Sequence, residues 1–385
     1  VTQRGDSLAI RVELIDTRDN NQLWGQSYNR KLADVLAVQN EIAREVTEKL
    51  RLRLGGEDQQ QLARRPTENA EAYQLYLQGR FHINRRSEEG HRKAIDYFQQ
   101  AIAKDLGYAR AHAGLADAYS YLVFDSVLAP KQAMPKALEA AQRALQIDEK
   151  LAEAHTSLGM VKRSYEWDWA GAEREFQRAI ELNPSSAEAH HQYAQLLAGL
   201  GRHDPAITEI RRAQELEPLN LLIQAHVGFV LTLARRFEQA DEQFRKTIEI
   251  DPNYGHARFD YGELLEATGK YQESIATHRK TIALGAAGPN ETGWLARQLA
   301  LSGQKEEARK LLREQADLSR RQYVSAYNIA LVYEGLGETD TAFQWLEKAL
   351  EERSPGLVWI KATMWDRQRS DPRYLNVLRR MGLGP

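Results

Sequence analysis

The sequence contains no cysteine. Disulfides, thiolate metal sites and cysteine nucleophiles are therefore excluded, and the redox compartment stays open. Charge of one sign is lacking as well. Fifty-two Lys and Arg face 54 Asp and Glu, a net charge of −2. That leaves no basic field for nucleic acid or anionic lipid, so no nucleic-acid partner is expected. No apolar run approaches the roughly 20 residues that a membrane span requires, so no membrane insertion is expected. A signal peptide and an initiator methionine are also missing. The chain opens on VTQRGDSLAIRVELID, already strand-like, and reads as a piece of a longer protein.

Catalytic signatures are lacking too. There is no G-x-x-x-x-G-K-[ST] loop, no G-x-G-x-x-G after a strand, no H-R-D followed by D-F-G and no G-x-S-x-G. The ten histidines include no H-E-x-x-H. His190 and His191 are adjacent and point to different sides of a helix. His112, His155, His226 and His256 fall on first helices without a carboxylate at an obvious ligand spacing, and are read as satisfied or solvent-facing. No catalytic residue, cofactor or metal site is expected.

What is present is repetition. Ala206, Ala240, Ser274, Ala308 and Ala342 recur at one constant spacing. Four residues after each comes Ile210, Phe244, His278, Leu312 or Leu346, large apart from the one histidine. Twelve before each sits another small residue: Ala194, Gly228, Gly262, Ala296 or Ala330. Pro184, Pro218 and Pro252 recur at one phase, where proline ends a helix. Small residues allow two helices to approach within about 8–10 Å, and large ones a turn away fill the grooves. Gly201 and Gly269 suit the turns between helices. This pattern resembles the tetratricopeptide repeat, an antiparallel helix pair with a period of about 34 residues. About eight repeats are expected over 68–355, in a mostly α solenoid whose stability is a sum of neighbour interfaces.

The flanks differ. In SLAIRVELID, Leu8, Ile10, Val12 and Leu14 alternate as in a half-buried strand. TRDNNQ suits a turn, and LWGQSYN a second strand. Val35, Val38, Ile42, Val46 and Leu50 then form one helical stripe. Residues 1–55 are thus a partial α/β segment, with 56–67 a linker. The open hairpin edge offers a route to a homodimer. At the other end, residues 356–385 break the period. Trp359, Trp365, Tyr374, Leu375 and Leu378 are expected to cap the last repeat, with Arg373, Arg379 and Arg380 in solvent. Peptide binding by those aromatics is the alternative. Trp167 and Trp169 are expected to pack a joint between repeats.

GDSLAIRVELIDTRDNNQLWGQSYNRKLADVLAVQNEIAREV resembles the second half of a TolB-like α/β domain. The stretch from RQYVSAYNIALVYEGLGETDTAFQWLEKALEERSPGLVWIK through SDPRYLNVLRRMGL is similar to the ending of a group of bacterial proteins. In these, an effector, a TolB-like domain and a tetratricopeptide array follow in order. The effector in that group is most often a serine/threonine kinase, an adenylate cyclase or a winged-helix domain. The resemblance implies a bacterial regulatory module on either side of the inner membrane; a fragment of a serine/threonine kinase or adenylate cyclase whose catalytic domain is absent from these residues, and an envelope assembly factor, are the alternatives. It also implies a right-handed superhelix with first helices lining a concave groove. There the lining residues are His191, Gln195, Phe229, Phe259, Glu263, Arg297 and Tyr327. Such a mixed lining suits a protein or peptide partner anchored by aromatics. An array serving only as a spacer or dimerisation platform, its groove empty or filled by the chain itself, is the other reading.

Overall fold

The computed structural model describes residues 2–4, 7–16, 21–31, 38, 41, 42, 45, 46, 67–85, 87–285 and 288–384. Three antiparallel strands come first: β1 (Thr2–Arg4), β2 (Ser7–Asp16) and β3 (Asn21–Lys31). β2 lies in the middle, so the expected hairpin carries a short extra strand along one side. Ile10, Val12 and Leu14 are half-buried while Arg11 and Glu13 are exposed. This is the alternation that a sheet with one covered face requires. Val38, Ile42 and Val46 are helical, and the Tyr28 hydroxyl donates to Glu45 at 3.0 Å. Val35, Leu50, most of the expected turn and the linker as far as residue 66 lie outside the described residues.

Eight antiparallel helix pairs follow. They are α1 (Ala70–Ile83) with α2 (Glu88–Lys104), α3 (Ala109–Phe124) with α4 (Pro130–Ile147), and α5 (Ala152–Val161) with α6 (Trp169–Leu182). Next come α7 (Ala187–Gly199) with α8 (His203–Leu216), and α9 (Leu221–Leu233) with α10 (Phe237–Ile250). The last three are α11 (Gly255–Ala267) with α12 (Tyr271–Ala283), α13 (Pro289–Leu301) with α14 (Lys305–Leu318), and α15 (Ala326–Leu336) with α16 (Thr339–Glu352). Among the described residues no helix is long and apolar enough to cross a membrane.

The small residues do what the spacing implies. Ala206, Ala240, Ser274, Ala308 and Ala342 are all buried, and Ser274 Oγ donates to the Gly262 carbonyl across its crossing at 2.8 Å. A Cβ on Gly228 would stand 2.7 Å from the Phe244 ring, so the ring lies flat on the bare backbone. Gly159 meets Phe176 in the same way, at a spacing one residue longer. A π-helical turn, Lys162–Glu166, between α5 and α6 absorbs that residue. α6, α8 and α10 each end two residues before Pro184, Pro218 or Pro252. Ties also recur between neighbouring pairs: the Tyr193 hydroxyl donates to Glu173 at 2.9 Å and that of Tyr261 to Asp241 at 2.8 Å.

The array curls far enough to touch itself. The α3–α4 connection docks on the start of α13, where Ser126 Oγ donates to Asn290 Oδ1 at 2.7 Å. The second and seventh helix pairs therefore meet.

Candidate functional site

A row of first helices, α7, α9, α13 and α15, meets the residues after α16. This closing stretch consists of a 3-10 turn (Pro355–Trp359), a second (Thr363–Gln368) and α17 (Pro372–Arg380). Trp365, Tyr374 and Leu378 are buried and Arg373, Arg379 and Arg380 are exposed. The aromatics, however, do more than cover the last repeat. Trp359 stands edge-on to Phe229 of α9, 4.9 Å between centroids. Trp365 packs on Tyr327 of α15 at 6.3 Å and donates its indole N–H to the Tyr327 hydroxyl at 3.2 Å. Gly356 lies against the same tyrosine, where a Cβ would come within 2.4 Å of the ring. Further back, Trp169 Nε1 donates to the Met381 carbonyl at 2.6 Å. At Gly199 a Cβ would stand 2.9 Å from the Val358 carbonyl oxygen. The closing stretch therefore contacts helix pairs from the third to the eighth.

Among the described residues, four non-glycine residues adopt positive φ: Ser126, Trp167, Arg235 and Arg353. Each makes a long-range closing contact. Ser126 holds Asn290, and Arg353 stacks on Trp167 at 3.9 Å. Arg235 forms an ion pair with Asp366. Its position is the slot that Gly201, Gly269, Gly303 and Gly337 fill in other repeats, all with positive φ. A left-handed conformation costs a side-chain-bearing residue about 1–2 kcal/mol, and such outliers gather where surrounding contacts over-determine the backbone.

The electrostatic centre of the row is Arg297, buried on α13. Its guanidinium donates to Glu266 at 2.9 Å, Glu334 at 2.6 Å, the Leu331 carbonyl at 2.7 Å and the Met364 carbonyl at 3.2 Å. Arg367 of the closing stretch reaches the other oxygen of Glu334 at 2.9 Å. The cation thus links three first helices to the backbone of the segment lying on them. Nearby Glu263 has its carboxyl held well above the ordinary range, first by burial and then by the charges of Asp260 and Glu266.

The expected groove residues therefore divide. Phe229, Arg297 and Tyr327 touch the closing stretch directly. Phe259 packs edge-on against His278 at 5.7 Å and Trp294 at 5.8 Å. His191 and Gln195 form a buried polar cluster with His226, the Gln195 amide lying 2.8 Å from His191 Nε2 and 3.2 Å from His226 Nδ1. Other histidines are structural. His155 and His190 pair with Glu175 and Glu209 at 2.7 and 2.5 Å. His278 takes the slot of a core phenylalanine with neither ring nitrogen hydrogen-bonded, and burial pushes its pKa down to about 4. Sequence reasoning misses Gly199, Arg235, Asp260 and Glu334. It also keeps Trp167 and Trp169 at a local joint, whereas Trp167 meets Arg353 at the end of α16 and Trp169 holds the closing stretch. Arg235 carries a readable signal, a long side chain in a glycine slot.

Three stretches match tetratricopeptide repeat family models: residues 175–208, 234–290 and 323–354. Among solved structures, human IFIT1, a dimer with m7Gppp-AAAA, aligns over 81% of this chain and 76% of its own, with a TM-score of 0.56 at 13% identity. Yeast Tom70 aligns over 81% of this chain and 68% of its own, with a TM-score of 0.50 at 17% identity. These identities show the fold alone. A 162-residue stretch is 27% identical to putative adenylate cyclase 3 of Rhizobium meliloti (strain 1021), covering 42% of this chain and 28% of that protein. The chain thus spans under a third of that relative's length. It carries tetratricopeptide repeats and folds as an α-solenoid of that class, and the repeats indicate a protein–protein interaction scaffold. Arrays of this class are typically non-catalytic.

Proposed function

We propose that the chain is a regulatory scaffold of a larger bacterial signalling protein, and that its first-helix groove binds a peptide or protein segment carrying spaced aromatic anchors. The observation that carries this reading is the segment already there. Trp359 on Phe229 and Trp365 on Tyr327 place two indoles on two groove aromatics, while Arg297 reads the Met364 main chain. A surface complementary to one extended stretch with these features suits others like it, because aromatics supply most of the affinity in such grooves. The chain's own residues 355–384 then compete with the partner, and access is governed by their release. The partial match to a putative cyclase favours the signalling setting.

The test uses the intact chain with its closing stretch loosened by Trp359→Ala and Asp366→Ala. A labelled peptide of residues 355–384 should bind this variant in fluorescence anisotropy and bind the wild type at least tenfold more weakly. Adding Phe229→Ala should abolish binding. If the loosened variant, shown folded by circular dichroism, binds no peptide, the groove reading fails.

A further inference from the structure

Two first helices bring three ligand-type side chains to one point on the groove wall. His226 lies on α9, and His256 and Asp260 lie one turn apart on α11. His226 Nε2 stands 3.0 Å from His256 Nε2. Asp260 Oδ2 is 3.7 Å from His256 Nε2 and 4.0 Å from His226 Nε2. A triangle with those sides has its equidistant point about 2.1 Å from every corner, which is the bond length of zinc to imidazole nitrogen and carboxylate oxygen. We propose that His226, His256 and Asp260 form a binding site for a borderline divalent transition metal, zinc being the natural occupant, that joins the fifth and sixth repeats.

Three further observations support the site. Asp260 is 4% exposed, and its Oδ2, the atom aimed at the two imidazoles, has no hydrogen-bond partner. A buried carboxylate oxygen without a donor is costly, and a bound cation removes that cost. Second, the remaining nitrogen of His226 is already oriented. His226 Nδ1 faces His191 Nε2, and His191 Nδ1 lies 3.5 Å from Glu188. Ligating histidines characteristically have the second ring nitrogen fixed in this way. Third, the site has an entrance, because the His256 side chain is 44% exposed while that of His226 is 15% exposed. The two nitrogens and one oxygen suit zinc, cobalt, nickel or iron(II) rather than magnesium or calcium, and with three protein ligands one position is left for water.

Such an ion would pin α9 to α11 beside Phe229, whose ring centroid is 6.1 Å from that of His226. The site stands on its own geometry and does not depend on what fills the groove.

Titration calorimetry of the intact chain with zinc chloride, after treatment with a chelator, should show one ion bound per chain. Cobalt(II) should give the visible absorption of a four-coordinate nitrogen–oxygen site. Asp260→Asn, which keeps the shape and removes the charge, should weaken zinc at least tenfold, as should His256→Ala. His191→Ala, a positioning change, should weaken it 10–100-fold. Each variant's melting curve without metal reports on folding separately. The proposal is overturned if the wild type takes up no zinc, or if uptake is unchanged in Asp260→Asn and His256→Ala, which would place the ion on other surface histidines.

Discussion

The guanidinium of Arg353 lies 3.9 Å above the ring of Trp167, and both residues have left-handed backbones, φ 62° and 59°. One ends α16, the other follows the π-helical turn, and five repeats lie between them in sequence. Two unfavourable backbone conformations are thus held by one contact between the third repeat and the end of the eighth. The same association of strain with long-range contact recurs at Arg235 with Asp366 and at Ser126 with Asn290.

The Phe229–Trp359 pair should be measurable as a coupling. A double-mutant cycle of Phe229→Ala and Trp359→Ala, followed by urea unfolding, is expected to give about 0.5–1.5 kcal/mol of interaction beyond the single changes. Additive changes would mean that the two rings do not meet in solution.

The buried ion network should be intolerant of losing its cation. Arg297→Met leaves Glu266 and Glu334 short of their shared partner and should destabilise by about 3–5 kcal/mol. Glu338→Ala, which removes the acceptor of the Arg309 contact in a far more exposed pair, should cost about 1 kcal/mol or less. Equal effects in denaturant would contradict the burial described for Arg297.

His278 predicts a dependence on acid. Its pKa is about 4 when folded and about 6.5 when unfolded. The unfolded chain therefore takes up the proton first, and stability falls as pH drops from about 6.5 to 4. A separation of this size corresponds to about 3 kcal/mol at the lower end. His278→Phe places a ring over Gly262 as Phe244 lies over Gly228, and should flatten the melting temperature across that window. An identical pH profile in the variant would rule out a buried neutral imidazole.

The helix crossings make a steric prediction. Ala240 is fully buried, so Ala240→Leu should overpack its crossing and cost about 1–3 kcal/mol. Gly228→Ala should be costly for a related reason, since the new Cβ meets the Phe244 ring, and Phe244→Leu should relieve part of it. A melting temperature unchanged by Ala240→Leu would mean that the crossing is not as tight as described.

The residues behind these predictions differ in how openly the sequence displays them. Ala206, Ala240, Gly228 and Pro252 are legible because a helix crossing and a helix end are local events that return once in every repeat. The alternation at Ile10, Val12 and Leu14 is legible because it too is local. The path of the closing stretch is not, because Trp359 meets Phe229 from several repeats away with no period to announce it. Trp169, 212 residues from the Met381 carbonyl it holds, reads as part of a local joint for want of any distant sign. Asp260 escapes notice although it follows His256 by four residues, since its meeting with His226 depends on how α9 registers against α11. Arg235 shows what the sequence does display: a departure from the repeat's own glycine slot marks a residue whose side chain has another task.

The most direct test is Gly199→Ala read by hydrogen–deuterium exchange. In an isolated helix this change is favourable by about 1 kcal/mol, but here the added methyl would stand 2.9 Å from the Val358 carbonyl oxygen. If residues 355–383 occupy the groove, their amides should be protected in the wild type and exchange faster in the variant, while α8 and α10 remain as before. Unprotected amides in the wild type, or protection that survives Gly199→Ala on a simply more stable chain, would contradict a groove filled by its own closing stretch.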